Sequence, residues 1–396
     1  MNKQLTKKIK SILIFLFLLL IVTILLARIF LPHLIDKRMN RVTMVPPYPF
    51  DKQALDFYQS LGFVSDLHSD VLLWKRDITA RHQHGHQDIP RMIEANLALQ
   101  GFTLVNKVPR GLNLYSNDGE TDQLTLSFAI QGRAPKSWFS LTERIIIQIE
   151  ELNEYSNQSD GKLKVIKSKT DLNIYLKSRK ENPDMTAAFI GIEGAQALEG
   201  DINNLEIVFN AGVRMIGLTH FFDNEVGGSA HGINKGGLTD FGRLLIREME
   251  QRHMIVDLSH ASPQLIDDVL AIVTKPVLVS HTGVKGTCDN VRNLSDNQLK
   301  RIASLGGVIG IAMFEKAVCG NSAKEIAQAI QYTTNLIGAE HVGLGSDFDG
   351  AVTIPFDVTG LPQIVGELFK LGISKEEIKL IMGENIKRFM LENLPV

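Results

Sequence analysis

Residues 66–74 read DLHSDVLLW, and the apolar residues 62–64 before them predict a β-strand that ends in this stretch. His68 and Asp70 lie two positions apart, so on a strand their side chains point to the same side. A pair of this kind is more typical of a solvated strand end than of a metal site. The rest of the chain therefore decides what the pair does.

Strand-like runs of this kind recur along the chain and alternate with helix-length amphipathic segments. The eight runs are residues 63–70, 101–108, 187–194, 213–220, 254–260, 276–281, 306–314 and 341–347. Alternating strands and helices are typical of a parallel sheet, and eight such units predict a closed (β/α)8 TIM barrel, an α/β fold. The widest interval, residues 109–186, is predicted to hold two helices, over 137–156 and 171–180.

The N-terminal segment SILIFLFLLLIVTILLA (residues 11–27) carries no charge, and RIFLPHLI follows it from Arg28. The segment is long enough to cross a bilayer, and no small-residue cleavage site typical of a signal peptide comes directly after it. We therefore predict a cytoplasmic tip and transmembrane anchor over residues 1–33, with 11–33 in contact with the lipid bilayer. A linker that includes VPPYPF is predicted over 34–55, and the barrel domain over 56–396.

The orientation of the anchor is only weakly encoded, because basic residues flank the apolar segment on both sides. The lysines before it lie closest to its edge, which favours an N-terminus inside and a periplasmic or extracytoplasmic barrel. In an oxidising compartment the two cysteines, Cys288 and Cys319, are predicted to form a disulfide. In a reducing one they would be two buried thiols.

Charge and composition exclude one class of function. The chain has 42 Lys and Arg residues against 44 Asp and Glu, so it lacks the cationic surplus of a nucleic-acid-binding protein. It also lacks a phosphate-binding loop. We therefore expect no nucleic-acid partner.

Polar residues stand at the carboxyl ends of most predicted strands, the face at which barrel enzymes place their active sites. In chain order they are His68, Asp70, Glu193, His220, His260, His281 and Asp347. Four histidines and three carboxylates are more ligands than one tetrahedral zinc needs, which favours two metal ions that share a carboxylate. Two such ions can hold a hydroxide between them and polarise a carbonyl, so we expect a hydrolase.

The motifs around these residues follow one another in a specific order. They are HxD, GIEG, GLTH, IVDLSH, SHTG followed by NVRN, and GLGSDFDG. Together they resemble the membrane dipeptidase family, also called renal dipeptidase or peptidase family M19, over residues 60–390. The resemblance implies a zinc-dependent dipeptidase in which a metal-bridging hydroxide attacks the peptide bond.

The resemblance also implies a set of metal ligands. His68, Asp70 and Glu193 would hold one zinc ion. Glu193, His260 and His281 would hold the other, so that Glu193 bridges the two ions.

Three further residues match family positions that act on the substrate. His220 would face the substrate and stabilise the oxyanion, Arg292 would bind the substrate carboxylate, and Asp347 would act as acid and base. The chain departs from the family pattern in VLLW after the HxD motif and in ANLALQGF at residues 95–102. Both segments border the predicted pocket, so they leave the substrate preference open more than the catalysis.

Other polar residues near the predicted mouth are expected to support the site or to be solvated. Asp257 and Ser259 would orient ligands, His86 would be structural or support a ligand, and Asp349 would hydrogen-bond within its loop, with Gly350. His82 and His84 are expected to be solvated, and Asn224, Ser229 and His231 are candidates to line the mouth.

Two alternative functions remain open at this point. The same metal site could serve another binuclear amidohydrolase that acts on a cyclic or acylated amine. The chain could instead be a catalytically silent barrel that acts as a membrane-tethered binding module. A missing metal ligand would favour this alternative, but every ligand position is filled. The sequence also leaves open a homodimer, the preferred dipeptides and the tolerance of D-residues.

Overall fold

The computed structural model describes residues 3–396. Eight strands form the barrel: β1 (Val64–Ser69), β2 (Leu97–Val105), β3 (Thr186–Glu193), β4 (Val213–Gly217), β5 (Ile255–Asp257), β6 (Leu278–Thr282), β7 (Val308–Ile311) and β8 (Val342–Leu344). The helices are α1 (Lys3–Met39), α2 (Lys52–Ser60), α3 (Ile89–Glu94), α4 (Leu124–Ile130), α5 (Lys136–Phe139), α6 (Leu141–Gln158), α7 (Lys169–Glu181), α8 (Asn203–Ala211), α9 (Asp240–Gln251), α10 (Pro263–Leu270), α11 (Asp296–Ser304), α12 (Glu315–Val318), α13 (Ala323–Ile337), α14 (Pro362–Lys370), α15 (Lys375–Lys379) and α16 (Asn385–Asn393). Short strands at Arg41–Val42, Leu163–Val165 and Thr353–Ile354 complete the set.

The eight strands pair in chain order, and every pairing is parallel. The last strand, β8, pairs with β1 through Leu344 and Asp66, which closes the barrel. All residues of the eight strands are buried, as expected for parallel strands covered by helices. The predicted (β/α)8 barrel is confirmed.

Apolar side chains from seven strands meet in one buried cluster. Its members include Leu67, Phe189, Met215, Ile255, Leu278 and Val308. Close packing extends to the backbone: a Cβ at Gly101 of β2 would lie 2.1 Å from the carbonyl oxygen of Leu67. Glycine is therefore required at residue 101, the one glycine of the ANLALQGF segment.

The interval 109–186 holds both predicted helices, with two differences. Helix α4 (Leu124–Ile130) lies there in addition. The helix predicted over 137–156 is divided into α5 and α6 at Ser140, whose side chain accepts a hydrogen bond from the backbone N–H of Glu143. Ser140 is in an extended conformation (φ −120°), so it ends one helix and caps the next. The helix predicted over 171–180 is α7.

The N-terminal helix is longer than the predicted anchor. The most apolar 18-residue window of Lys7–Met39, within α1, has a mean hydropathy of 3.1, and none of this window is buried. The helix is therefore long and apolar enough to cross a membrane. A membrane anchor and a signal sequence share this property.

The predicted linker over 34–55 differs in the structure. Helix α1 continues to Met39, Asp36 and Asn40 are buried, and residues 41–42 pair with 353–354. Asp51 caps α2 before the predicted domain start at residue 56. The Pro-rich composition suggests a loose connection, but contacts with residues distant in sequence pack this segment against the barrel.

Candidate metal centre

The structure brings the predicted site residues together at the carboxyl ends of the barrel strands. A cavity of about 710 Å³ is lined by Asp70, Glu193, His220, His260, His281, Arg292 and Asp347. His68, the remaining predicted ligand, lies in β1 and is fully buried. The cavity also has apolar walls, among them Trp74, Leu112 and Phe314.

Glu193, the last residue of β3, is the centre of the cluster. Its Oε1 lies 3.1 Å from Nε2 of His260, 3.5 Å from Nε2 of His68 and 3.6 Å from Nε2 of His281. Its Oε2 lies 3.2 Å from Nε2 of His220. One carboxylate therefore faces four imidazole nitrogens.

The remaining carboxylates lie on the β1 side of Glu193. Oδ1 of Asp70 is 3.5 Å from Nε2 of His68, and it accepts a hydrogen bond of 2.6 Å from the hydroxyl of Thr103. Donor atoms of His68, Asp70 and Asp347 all lie within 4.8 Å of one another. Two further groups of residues have donor atoms within 4.8 Å of one another: His68 with Glu193 and His281, and Glu193 with His220 and His260.

Hydrogen bonds fix the orientation of His68. The Ser280 hydroxyl donates to Oδ2 of Asp257 at 2.6 Å, so its oxygen is left to accept from Nδ1 of His68 at 2.8 Å. Nε2 of His68 consequently points into the cluster, where this buried atom has no hydrogen-bond partner among residues 3–396. A ligand histidine held through its other nitrogen is the usual arrangement around a metal ion.

The other histidines are oriented by similar contacts. Nδ1 of His260 lies 3.0 Å from Nε2 of His231, and Nδ1 of His281 lies 3.2 Å from the Ser280 oxygen. Nε2 of His260 and Nε2 of His281 approach each other to 2.9 Å. Both Nε2 atoms therefore face the cavity.

The pKa values of the histidines in the cluster favour the binding of cations. Burial lowers the pKa of His220 and His260 to about 3, so both imidazoles are neutral at neutral pH. Burial lowers the pKa of His68 too, but the carboxylates of Asp70 and Glu193 outweigh it and hold the pKa well above its ordinary value. Positive charge is thus stabilised at Nε2 of His68, where the ligand geometry would place a metal ion.

The three carboxyl groups of the cluster differ in pKa. Burial raises the pKa of Glu193, but the facing histidines outweigh it and hold the pKa well below its ordinary range. The pKa of the other two carboxyl groups is raised. Burial, and next the charge of Glu193, raise the pKa of Asp70 to about 6. Burial and the charges of Asp70 and Glu193 raise the pKa of Asp347 well above its ordinary range. Divalent cations would relieve this repulsion, so the donor set fits the metal that the sequence predicts.

A family model described as membrane dipeptidase (peptidase family M19) matches residues 58–393. The chain belongs to this family. The matched range contains the whole barrel and every residue of the metal centre. Membership of the membrane dipeptidase family makes the chain a metallopeptidase, a hydrolase with a dipeptidase role.

Individual relatives agree with this assignment. The dipeptidase aclJ of Aspergillus oryzae is 28% identical over 350 residues, which are 83% of this chain and 77% of the fungal protein. The structure of the probable dipeptidase PvdM of Pseudomonas aeruginosa aligns with a TM-score of 0.71 and 18% identity, over 87% of this chain and 98% of that one. A Rhodobacter sphaeroides metallo peptidase, solved with a phosphinate mimic of the dipeptide L-Ala-D-Ala, aligns with a TM-score of 0.68 and 23% identity, over 84% and 99% of the two chains.

In this membrane dipeptidase chain, Arg292 lies in the loop after β6. It is 6% exposed, and its guanidinium carbon lies 4.9 Å from the ring centroid of Phe314. Nη2 donates one long hydrogen bond of 3.4 Å to the carbonyl of His281, and the buried Nη1 has no acceptor within the described chain. The predicted disulfide between Cys288 and Cys319 is present and ties this loop to the segment after α12.

The weaker sequence predictions have mixed outcomes. Asp257 and Ser259 support the ligands as expected: Asp257 accepts from Ser259 at 2.9 Å, and the Ser259 oxygen accepts from the backbone of His281 at 3.1 Å. Of the three loop residues, His231 lines the cavity. The Ser229 hydroxyl donates to the carbonyl of His220, and Asn224 donates to Gln196 and to the carbonyl of Leu218.

Two predictions on the polar loops are wrong. His84 is not solvated, because its side chain is 8% exposed and lies 3.1 Å from Asp36. Asp349 does not serve mainly its own loop, because its carboxylate pairs with Arg76 at 2.9 Å and accepts from the backbone N–H of His86 at 2.8 Å. His86 is structural, and its Nδ1 accepts from the backbone N–H of Asp349 at 2.8 Å.

Proposed function

We propose that the chain is a membrane-anchored dipeptidase that binds two zinc ions bridged by Glu193. The observation that carries the proposal is the position of this buried carboxylate, 3.1 to 3.6 Å from four imidazole nitrogens. Five proposed ligand side chains, with Glu193 counted in both sets, exceed the needs of a single tetrahedral ion.

The resemblance to the membrane dipeptidase family supports the assignment of ligands to the two proposed zinc sites. His68, Asp70 and Glu193 form one set, and Glu193, His260 and His281 form the other. When bound, the ions would supply Lewis-acid activation of water and of the peptide carbonyl. The hydrogen bond that the Ser280 oxygen accepts from His68, and the one that Thr103 donates to Asp70, would hold these two side chains in place for this purpose.

Two residues would handle the charges that develop during hydrolysis. Asp347 would take the proton from the attacking water and pass it to the leaving amine, a role that its position within 4.8 Å of the donor atoms of His68 and Asp70 supports. His220 is neutral because burial lowers its pKa to about 3, so an imidazole N–H can donate to the carbonyl oxygen as negative charge develops.

Arg292 would restrict the substrate to dipeptides. Its unpaired Nη1 offers a donor within the cavity, and a guanidinium binds a carboxylate through two parallel hydrogen bonds. A free C-terminal carboxylate bound there would leave a longer peptide without room for its next residue.

The proposed topology places the N-terminus of α1 in the cytoplasm and the barrel outside it. The disulfide between Cys288 and Cys319 supports this side, because disulfides persist in oxidising compartments. A reporter fused after Val396 tests the orientation, and activity of the reporter on the cytoplasmic side would contradict it.

The activity test uses the full chain, purified in detergent and loaded with zinc. We expect hydrolysis of free dipeptides, with L-Ala-D-Ala and L-Ala-L-Ala assayed in parallel, and no hydrolysis of tripeptides. Metal-loaded protein that leaves every dipeptide intact would contradict the proposal. Activity on acylated amines or cyclic amides alone would favour the amidohydrolase alternative, and no activity at all would favour the binding module.

A further inference from the structure

A second buried charged cluster lies beside the metal centre and shares none of its residues. Arg76, which follows β1 in the chain, lies between Asp36 of α1 and Asp349, which follows β8. The three side chains are 1%, 4% and 0% exposed, respectively. Charged groups are costly to bury without partners, so specific bonds must compensate for their burial.

Every N–H group of the Arg76 guanidinium has an acceptor. Nε and Nη2 donate to the two carboxylate oxygens of Asp36 at 2.9 and 2.7 Å. Nη1 and Nη2 donate to those of Asp349 at 3.2 and 2.9 Å, and Nη1 also donates to the carbonyl of Gln87 at 3.1 Å. Paired bonds of this kind fix orientation as well as distance, so Arg76 sets the position of Asp349 relative to α1.

Asp349 belongs to the turn that carries Asp347. Three residues of this turn, Asp347, Asp349 and Ala351, have φ values of 64°, 60° and 59°. Residues other than glycine keep this left-handed backbone conformation only where surrounding contacts stabilise it. In this turn the stabilising contacts are made by Asp349. Its backbone N–H donates to His86, and its backbone carbonyl accepts from the Trp74 indole at 2.6 Å.

Helix α1 reaches the same turn by a second route. Asn40 donates to Asp36 at 2.8 Å and accepts from the backbone N–H of Ala351 at 2.9 Å. Ile35 and Met39, in the last turns of α1, line the same cavity as the metal centre. The end of α1, beyond the proposed anchor, is therefore built into the wall of the active site.

We propose that Asp36 is a positioning residue for catalysis: through Arg76 it holds Asp349, and with it the turn that presents Asp347 to the metal centre. The inference rests on the proposed dipeptidase activity. It adds that the end of α1, the helix that carries the proposed anchor, belongs to the catalytic unit and is more than a tether.

The test compares Asp36→Asn with the wild type in the full chain, in detergent, with zinc and a free dipeptide. Arg76 keeps Asp349 as its counter-ion in this variant, so we expect it to fold. kcat should fall about tenfold, because misplacement of a reacting group by a fraction of an ångström is costly. KM should change less than twofold and the zinc content should be unchanged, because Asp36 contacts neither the ligands nor the substrate site.

A second variant and two comparisons make the test specific. Asp349→Asn leaves Arg76 paired with Asp36 and should show the same loss of kcat at constant KM. Asp36→Glu, which retains the charge, should recover part of the lost kcat. Asp56→Asn is the matched control, because Asp56 is 58% exposed on α2 and pairs with Lys52, and it should have wild-type constants.

Wild-type kcat in zinc-loaded Asp36→Asn and Asp349→Asn would overturn the inference. A lower melting temperature with unchanged kcat would mean that the cluster is only structural, and would overturn it too. So would a loss of zinc in proportion to the loss of kcat. A wild type that hydrolyses no dipeptide would instead refute the dipeptidase proposal, on which this inference depends.

Discussion

Arg292 offers a quantitative test of how the proposed enzyme recognises its substrate. The side chain is buried, its Nη2 makes one long bond of 3.4 Å, and its Nη1 is unpaired within the described chain, so most of the guanidinium is free to bind a ligand. A hydrogen bond between charged groups contributes about 1.5 to 3 kcal/mol. Arg292→Ala should therefore lower kcat/KM for a free dipeptide about 10- to 150-fold.

The assay compares each dipeptide with its C-terminal amide, which lacks the carboxylate. Wild-type enzyme should prefer the free dipeptide by a factor of this size, and Arg292→Ala should lose the preference. Arg292→Lys retains the charge but not the planar fork, so KM should rise while kcat falls less and the zinc content is unchanged. Arg247→Lys, at an exposed position on α9, is the matched control.

The reasoning fails if Arg292→Ala hydrolyses free dipeptides and their amides with wild-type constants. In that case Arg292 would not bind the carboxylate, and the restriction to dipeptides would need another cause.

Three further predictions concern residues that support the site. Ser280→Ala removes the acceptor that orients His68, so zinc affinity should fall about 10- to 100-fold in a chelator competition, and unchanged affinity would contradict this role. Replacing Cys288 and Cys319 with Ser should loosen the Arg292 loop and raise KM at constant zinc content; an unchanged KM would show that the loop holds without the bond. Burial lowers the pKa of His86, so its contribution to stability is complete above pH 6.5 and is lost as the pH falls below that value; thermal melts at pH 7.5 and 5 should show a smaller loss in His86→Asn than in the wild type, and an equal loss would refute the assignment.

The barrel and the cluster of candidate metal ligands can be predicted from the sequence because both depend on the regular alternation of strands and helices. Parallel strands place their carboxyl ends at one face, so residues far apart in the chain, such as His68 and His281, are predicted to meet once the strands are recognised. The structure brings them together. The assignment of ligands to each ion stays a prediction, and the measurements proposed above and below test it.

The contacts around Asp36 could not be predicted in the same way. Asp36 pairs with Arg76 across 40 residues, and Arg76 pairs with Asp349 across 273, and neither contact follows from a strand or helix period. The Pro-rich composition of residues 45–49 is typical of a linker, so the local pattern favours a loose connection. Tertiary contacts outweigh it, and they also explain why His84 is enclosed.

Ser280 illustrates an intermediate case. It directly precedes the ligand His281 in VLVSH, but serine at that position has many uses in a strand. Its contacts with Asp257 and His68 form because the fold brings β1, β5 and β6 close together, and the sequence alone does not show this. Sequence identifies the candidate ligands here, whereas the orientation of their side chains requires the three-dimensional structure.

The central claim is that Glu193 bridges two zinc ions, and the zinc content of the purified full chain tests it most directly. The wild type should retain about two zinc ions per chain after dialysis, because five ligand side chains, one of them a shared carboxylate, exceed the needs of one ion. Glu193→Gln removes a charge shared by both ions and should lose both of them. One zinc ion per chain with full activity, or two ions retained by Glu193→Gln, would contradict the account.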